Sequence, residues 1–394
     1  MRKVVTLLAV TLASAASAQD PLPVWPSAQQ VELVEQRRAD FPLSTLVKDI
    51  DWYQPQEHVA GGNAEPFQSA RMPAIRASAL DAAIKLAETE KSYALLVWKD
   101  GKLQLEKYWD IFSPESRYET ASMAKTVVAL AVGTAVAAGH IESVDDPISD
   151  YIPTMRGTPR GSRPVRAFLE MASGMQTPPF ASASDGPYWQ YSFGNDLGAA
   201  VARWPDGCVP QQEFCYANGN TAMLGWAIEG ATGMRYADWL SRSIWQPIGA
   251  RDASLWLDRA GGSPRYSCCL IATAQDWLRI GLLLLNHGRA GTEQVVPRDW
   301  IKRMLAPSPA NANYGWQIWR GSPHNPGRTY GKGINAVVPA AEPFARDDVY
   351  FLDGSAGQRV YIVPSEQLVI VRIGTPSYQW DDSALPNMIL AGIE

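Results

Sequence analysis

The chain has 394 residues, a formal net charge of -5 and an apolar content ordinary for a globular protein. That length supports one large domain or two intimate ones with a sizeable core. No lysine- or arginine-rich stripe is present, which excludes the usual signature of a nucleic-acid partner. The four histidines have no metal-ligand spacing with the four cysteines, so no metal site is expected.

The N-terminus reads as a leader. Arg2-Lys3 make a basic start, Val4–Ala13 a short apolar run, and Ala16-Ser17-Ala18 an A-x-A cleavage site. Cleavage after Ala18 predicts export, to the periplasm or the medium. The apolar run is too short to cross a bilayer and no later segment is long enough, so no membrane span is expected. The cysteines fit an oxidising compartment. Cys208 and Cys215 bracket a short Pro-containing loop and favour a local disulfide. Adjacent Cys268 and Cys269 stay open to three readings: free, bridged to each other, or exchanged with the first pair.

Residues 19–70, rich in Pro, Gln and Gly, read as an irregular N-terminal arm. Residues 71–144 and 255–394 are expected to form one α/β sheet domain, with a mostly helical lobe inserted at 145–254. The first part holds a helical pattern at Ala77–Lys91 and two strands, Ser92–Trp98 and Leu103–Trp109. Asp100-Gly101 between them is a strong hairpin signal. A long apolar helix follows, starting at Thr126. The lobe carries helical patterns at Val165–Ala172, Asp196–Trp204, Thr221–Gly230 and Tyr236–Trp245. Gln275–Asn286 is a further helix, Tyr314–Trp319 a strand, Gln358–Val363 with Leu368–Ile373 a hairpin, and Ser383–Glu394 a closing helix. Strands at both ends with helices between imply an antiparallel sheet flanked by helices, assembled from distant parts of the chain.

Three motifs carry chemistry. Ser122-Met-Ala-Lys125 opens the apolar helix. A serine needs a base to become a nucleophile. A lysine three residues on projects from the same helical face, and the helix N-terminus offers N–H groups to developing negative charge. Tyr216-Ala-Asn218 sits in a loop leading into a helix; its phenol can relay a proton, and its amide can donate to a substrate carbonyl or hold the lysine ammonium. Asp353-Gly-Ser-Ala-Gly-Gln358 opens the C-terminal hairpin, where small residues let a substrate lie against a strand edge. Tyr188-Trp-Gln-Tyr191, read as part of a loop in the helical lobe, is positioned to roof such a site.

Ser-x-x-Lys, then Tyr-x-Asn, then a small-residue strand opening resembles the penicillin-recognising serine hydrolases. The resemblance is strongest to the branch of class C β-lactamases, family VIII esterases, D-aminopeptidases and 6-aminohexanoate-dimer hydrolases. Phe168–Met175 and Ala272–Gly281 resemble further family segments. The resemblance implies a β-lactamase/transpeptidase-like α/β fold of the α+β type. It also implies Ser122 as acylated nucleophile, Lys125 as base, Tyr216 as proton relay and Asn218 as polar partner. The third motif falls on Ser355-Ala356-Gly357, with Ser355 and Gly357 lining the substrate. The N–H groups of Ser122 and Gln358 then form the oxyanion hole. A rival placement uses Lys332-Gly333. No metal or organic cofactor is implied. Ser355 stands where the family carries a cation that holds a substrate carboxylate, a role Arg359 could partly take. The expectation is therefore an exported hydrolase of small-molecule esters or amides. The alternatives are a β-lactamase or D,D-peptidase, and a non-catalytic binding or sensor protein on the same fold.

Overall fold

Apolar residues that alternate along three neighbouring strands explain the architecture. In this computed structural model, which describes residues 25–180 and 183–393, the strands of the two main sheets fall in the following chain order. They are β1 (Gln56–Val59), β2 (Ser92–Lys99), β3 (Lys102–Tyr108), β4 (Arg117–Glu119), β5 (Ala253–Trp256), β6 (Leu270–Thr273), β7 (Trp319–Arg320), β8 (Tyr350–Gly354), β9 (Gln358–Val363) and β10 (Leu368–Gly374). The large sheet runs β3-β2-β10-β9-β8-β7, antiparallel throughout. Ala94, Leu96, Trp98, Val360, Ile362, Val369 and Val371 point to one face, where Trp277, Leu278 and Leu284 of the Ala274–Leu285 helix cover them. Leu95, Val97, Tyr361, Val363, Leu368 and Ile370 point to the other, under the Ala77–Thr89 and Ala384–Leu390 helices. Successive side chains of a strand leave on opposite faces, so a sheet covered on both sides needs near-continuous apolar strands. The leader expected at 1–18 lies outside the described residues. Among those described, no helix is long and apolar enough to cross a membrane.

Four expectations are corrected. The N-terminal arm is not wholly irregular: Ala28–Ala39 is a helix with a Ser27/Gln30 capping box. A second antiparallel sheet, β1-β5-β6-β4, stands beside the first, built from strands of three or four residues, too short for a clear alternation signal. Of the segment read as a Tyr314–Trp319 strand, only Trp319 joins a sheet, as the first residue of β7. Gln317 is at φ 56 and turns aside to donate its side-chain amide to the carbonyls of Phe168 and Leu169. The roof segment is a helix, Pro187–Phe193.

The helix after Ser122, Ala124–Ala137, is buried on almost every side. Its small Ala, Val, Gly and Thr side chains allow that close approach. Trp239 and Trp300 donate their indole N–H groups to its carbonyls at Ala131 and Ala129. The Asn218–Thr232 helix packs alongside it. The helix that follows the candidate nucleophile and carries Lys125 is thus enclosed by its neighbours.

Candidate active site

Ser122 lies in a tight turn, Ala121–Met123, between the end of β4 and the central helix. Ala121 is held at φ 51, a left-handed conformation that a Cβ-bearing residue seldom adopts and that clusters at functional sites. The turn packs against β8 and β9. Gly354 at the end of β8 permits this contact, since a Cβ there would lie 2.2 Å from the Thr120 carbonyl oxygen.

The helical spacing brings Lys125 Nζ to 2.7 Å from Ser122 Oγ. The same nitrogen donates to the Ser267 carbonyl at 2.8 Å. It lies 4.9 Å from the centre of the Tyr216 ring, and the Tyr216 phenol is within the electrostatic reach of Ser122. Lys125 and Tyr216 are both buried. Burial lowers the Lys125 ammonium to about 7, against the opposing fields of Asp353 and Glu119. Burial also raises the Tyr216 phenol well above its ordinary value, so it is a neutral donor at physiological pH.

Asn218 starts its helix half-buried, and its side-chain amide makes no hydrogen bond among the described residues. The expected hold on the lysine is made by the Ser267 carbonyl instead. Ser355–Gly357 forms a short turn between β8 and β9, with Ser355 exposed and Ala356 at φ 57. Arg372 donates to the Gly357 carbonyl at 3.0 Å and anchors this turn. Gln358 pairs with Gly354 in the strand register. Its side chain clasps the backbone of Gly374, donating at 3.0 Å and accepting at 2.9 Å.

Two cationic candidates are spent elsewhere. Arg359 is 1% exposed and bonds Asp353 at 2.6 Å, Asp382 at 2.7 Å and the Gly354 carbonyl, so it does not stand in for the missing substrate-binding cation. Lys332 lies in a loop outside the sheet and pairs with Glu213 at 2.9 Å. Its neighbour Gly333 abuts the Thr177 carbonyl.

Sequence reasoning missed three contributors. Asp353 is buried, and though burial alone would raise its carboxyl, Arg328 and Arg359 hold it below the usual range. Glu119 Oε1 accepts from the Ala121 and Cys269 N–H groups at 2.8 and 3.0 Å. Burial raises its carboxyl to about 7 in spite of those bonds. An acid three residues before a candidate nucleophile was a signal available for Glu119. Ser267 acts through a carbonyl, which every residue has, so no sequence signal existed. Of the roof segment, Tyr191 reaches the site floor, its hydroxyl 2.7 Å from Ser267 Oγ, whereas Trp189 stacks on Phe193.

The family profile described as Beta-lactamase matches residues 80–386. A 6-aminohexanoate-dimer hydrolase from Paenarthrobacter ureafaciens is 29% identical over 265 residues, 62% of this chain and 64% of that protein. The chain thus spans under two thirds of that relative's length. A solved Bacillus anthracis structure, named provisionally as a 6-aminohexanoate-dimer hydrolase, superposes with a TM-score of 0.73 at 21% identity, covering 93% of this chain and 97% of that one. A class C beta lactamase from Rhodobacter sphaeroides gives 0.56 at 19% identity over 81% of this chain and 98% of that one. At such identities the structural likeness is one of fold. With a profile match across most of its length, the chain belongs to the beta-lactamase family of serine hydrolases.

Proposed function

We propose that the protein is an exported hydrolase that cleaves esters or linear amides through a Ser122 acyl-enzyme. The observation that carries this reading is the placement of Lys125 Nζ between Ser122 Oγ and the Ser267 carbonyl in a buried site. A neutral amine there donates one N–H to Ser267 and uses its lone pair to accept the Ser122 proton as the hydroxyl attacks the carbonyl carbon. The tetrahedral oxyanion is received by the Ser122 and Gln358 N–H groups; one such donor is typically worth about 3 kcal/mol. Tyr216, buried, neutral and beside Lys125, passes the proton to the leaving group. Water then hydrolyses the acyl-enzyme by the reverse path. Asn218, with its amide unpaired, orients the substrate carbonyl, and Ser355 and Gly357 line the acyl group. The sequence signals for export agree with the two disulfides, Cys208–Cys215 and Cys268–Cys269.

The commitment of Arg359 and Lys332 to ion pairs favours substrates that need no carboxylate anchor, and so disfavours β-lactams and peptidoglycan stems. The name of the Paenarthrobacter relative points the same way, toward linear amides. The test is turnover of p-nitrophenyl butyrate, a linear amide and nitrocefin, with Ser122→Ala as control. Ester or amide turnover that exceeds nitrocefin turnover and vanishes in the variant is expected. Dominant nitrocefin turnover points to a β-lactamase, and a stable adduct without turnover to a sensor.

A further inference from the structure

The disulfide between Cys268 and Cys269 joins neighbours in sequence, so it staples a single turn rather than two distant segments. That turn touches the site twice. Just before it, Ser267 presents its carbonyl to Lys125 at 2.8 Å and its hydroxyl to Tyr191 at 2.7 Å. Within it, Cys269 donates its N–H to Glu119 at 3.0 Å, and the same carboxylate oxygen receives the N–H of Ala121, the residue before the nucleophile. Cys269 is held at φ 70, a conformation its Cβ disfavours. A carboxylate oxygen of Glu119 lies within 4.8 Å of both sulfurs. Cys269 is 3% exposed among Val34, Tyr53, Phe193, Trp256 and Ile271, and Cys268 is half-buried at the edge of that cluster.

We infer that the Cys268–Cys269 disulfide is a positioning element for Lys125 and Glu119, and that its reduction disarms the hydrolase. The ring closed by two adjacent cysteines restricts both residues, which keeps the Ser267 carbonyl and the Cys269 N–H aimed at their partners. A dithiol reductant attacks the more accessible Cys268 sulfur, giving a mixed disulfide and a Cys269 thiol. Its second thiol then displaces Cys268, leaving two protein thiols and one oxidised reductant. Cys269 is then free to leave the left-handed region, and both contacts loosen.

The inference rests on the Ser122 acyl-enzyme reading, and its test separates the two. Labelling of Ser122 by a serine-reactive phosphonate is timed before and after dithiothreitol treatment, across pH. The background is Cys208→Ala/Cys215→Ala, because Cys215 adjoins Tyr216. Reduction is expected to slow labelling about tenfold or more, to displace the midpoint of its pH profile and to leave the circular dichroism spectrum unchanged; reoxidation restores the rate. The groups that face Lys125 and shape that profile are Ser122, Tyr216, Glu119 and Asp353. Cys268→Ala/Cys269→Ala is expected to label at the reduced rate regardless of reductant. If the background variant fails to fold, partial reduction of the native protein with alkylation and peptide mass mapping assigns the loss to one pair. Unchanged rate and pH profile after reduction, or alkylation of Cys268 and Cys269 in the unreduced folded protein, overturns the inference alone. Absence of Ser122 labelling in the oxidised protein overturns the hydrolase reading and the inference with it.

Discussion

Asp353 and Arg359 form an ion pair of 2.6 Å with both side chains at most 2% exposed. Arg328 pairs with the same carboxylate at 2.9 Å, and Asp382 accepts from both arginines. The set balances two positive against two negative charges in a site from which water is largely excluded. Removing one member leaves a buried charge without its partner, which typically costs about 3–5 kcal/mol. Asp353→Asn is therefore expected to lower the urea midpoint strongly at an unchanged slope. A loss under about 1 kcal/mol would show that Asp382 alone sustains both arginines.

Under the proposed mechanism, the lowered pKa of Lys125 sets the pH dependence. The amine is a base only when neutral, so kcat/KM is expected to rise with pH through about 7. Glu119 favours the ammonium, and Glu119→Gln keeps an oxygen to accept the Ala121 and Cys269 N–H groups. That substitution removes a negative charge, makes the neutral amine easier to reach, and is expected to move the rising limb to lower pH. A limb that stays in place would mean that Glu119 is uncharged in the working enzyme.

The same shift has a consequence for stability. The unfolded lysine titrates near ~10.4 and the folded one at about 7. Between these values the unfolded chain binds more protons, so Lys125 makes stability rise with pH across that window. Burial of Glu119, raised to about 7, acts with the opposite sign between its unfolded value and neutrality. Lys125→Met is expected to flatten the rise above pH 7 in thermal melts and to abolish turnover. Lys125→Arg is not expected to restore activity, because a guanidinium stays charged.

The proposed relay role of Tyr216 rests on its place beside Lys125 and on the burial that keeps its phenol neutral. Tyr216→Phe keeps the ring against Trp319, Tyr314 and Tyr330 and deletes only the hydroxyl. Turnover is expected to fall about 10²–10⁴-fold with little change in melting temperature. A near-normal kcat would leave Lys125 as sole proton carrier.

Gly354 sets the distance between β8 and the nucleophile turn. Gly354→Ala places a methyl 2.2 Å from the Thr120 carbonyl, and the turn must give way. Displacements near 1 Å can cost about 10²-fold in rate, so slow phosphonate labelling in a folded protein is expected. Normal labelling would show that the strand moves instead.

The juxtaposition of Ser122 and Lys125 was legible from local order. Ser122 lies in the turn that leads directly into the helix of Lys125, so three residues of spacing are enough to bring them together. Gln358–Val363 and Leu368–Ile373, with a short turn between them, show their apolar runs directly. The short strands of the second sheet were not legible, because β1, β4, β5 and β6 become strands only by pairing with one another. The helix at residues 28–39 has a local signal in the Ser27/Gln30 capping box, but its polar, weakly periodic sequence gives little sign of a buried face.

The sequence by itself determined which candidate reactive groups the chain carries, the order in which they occur and the face of each long strand that turns inward, since these follow from residue chemistry and backbone periodicity. The environment of those groups was decided by tertiary structure alone. Lys125 is tuned by burial and by Ser267, Glu119 and Asp353, which come from three separate segments. Arg359 looked available for substrate until folding closed it against Asp353 and Asp382. Desolvation and charge pairing depend on distances between segments far apart in the chain, and no local pattern encodes those distances.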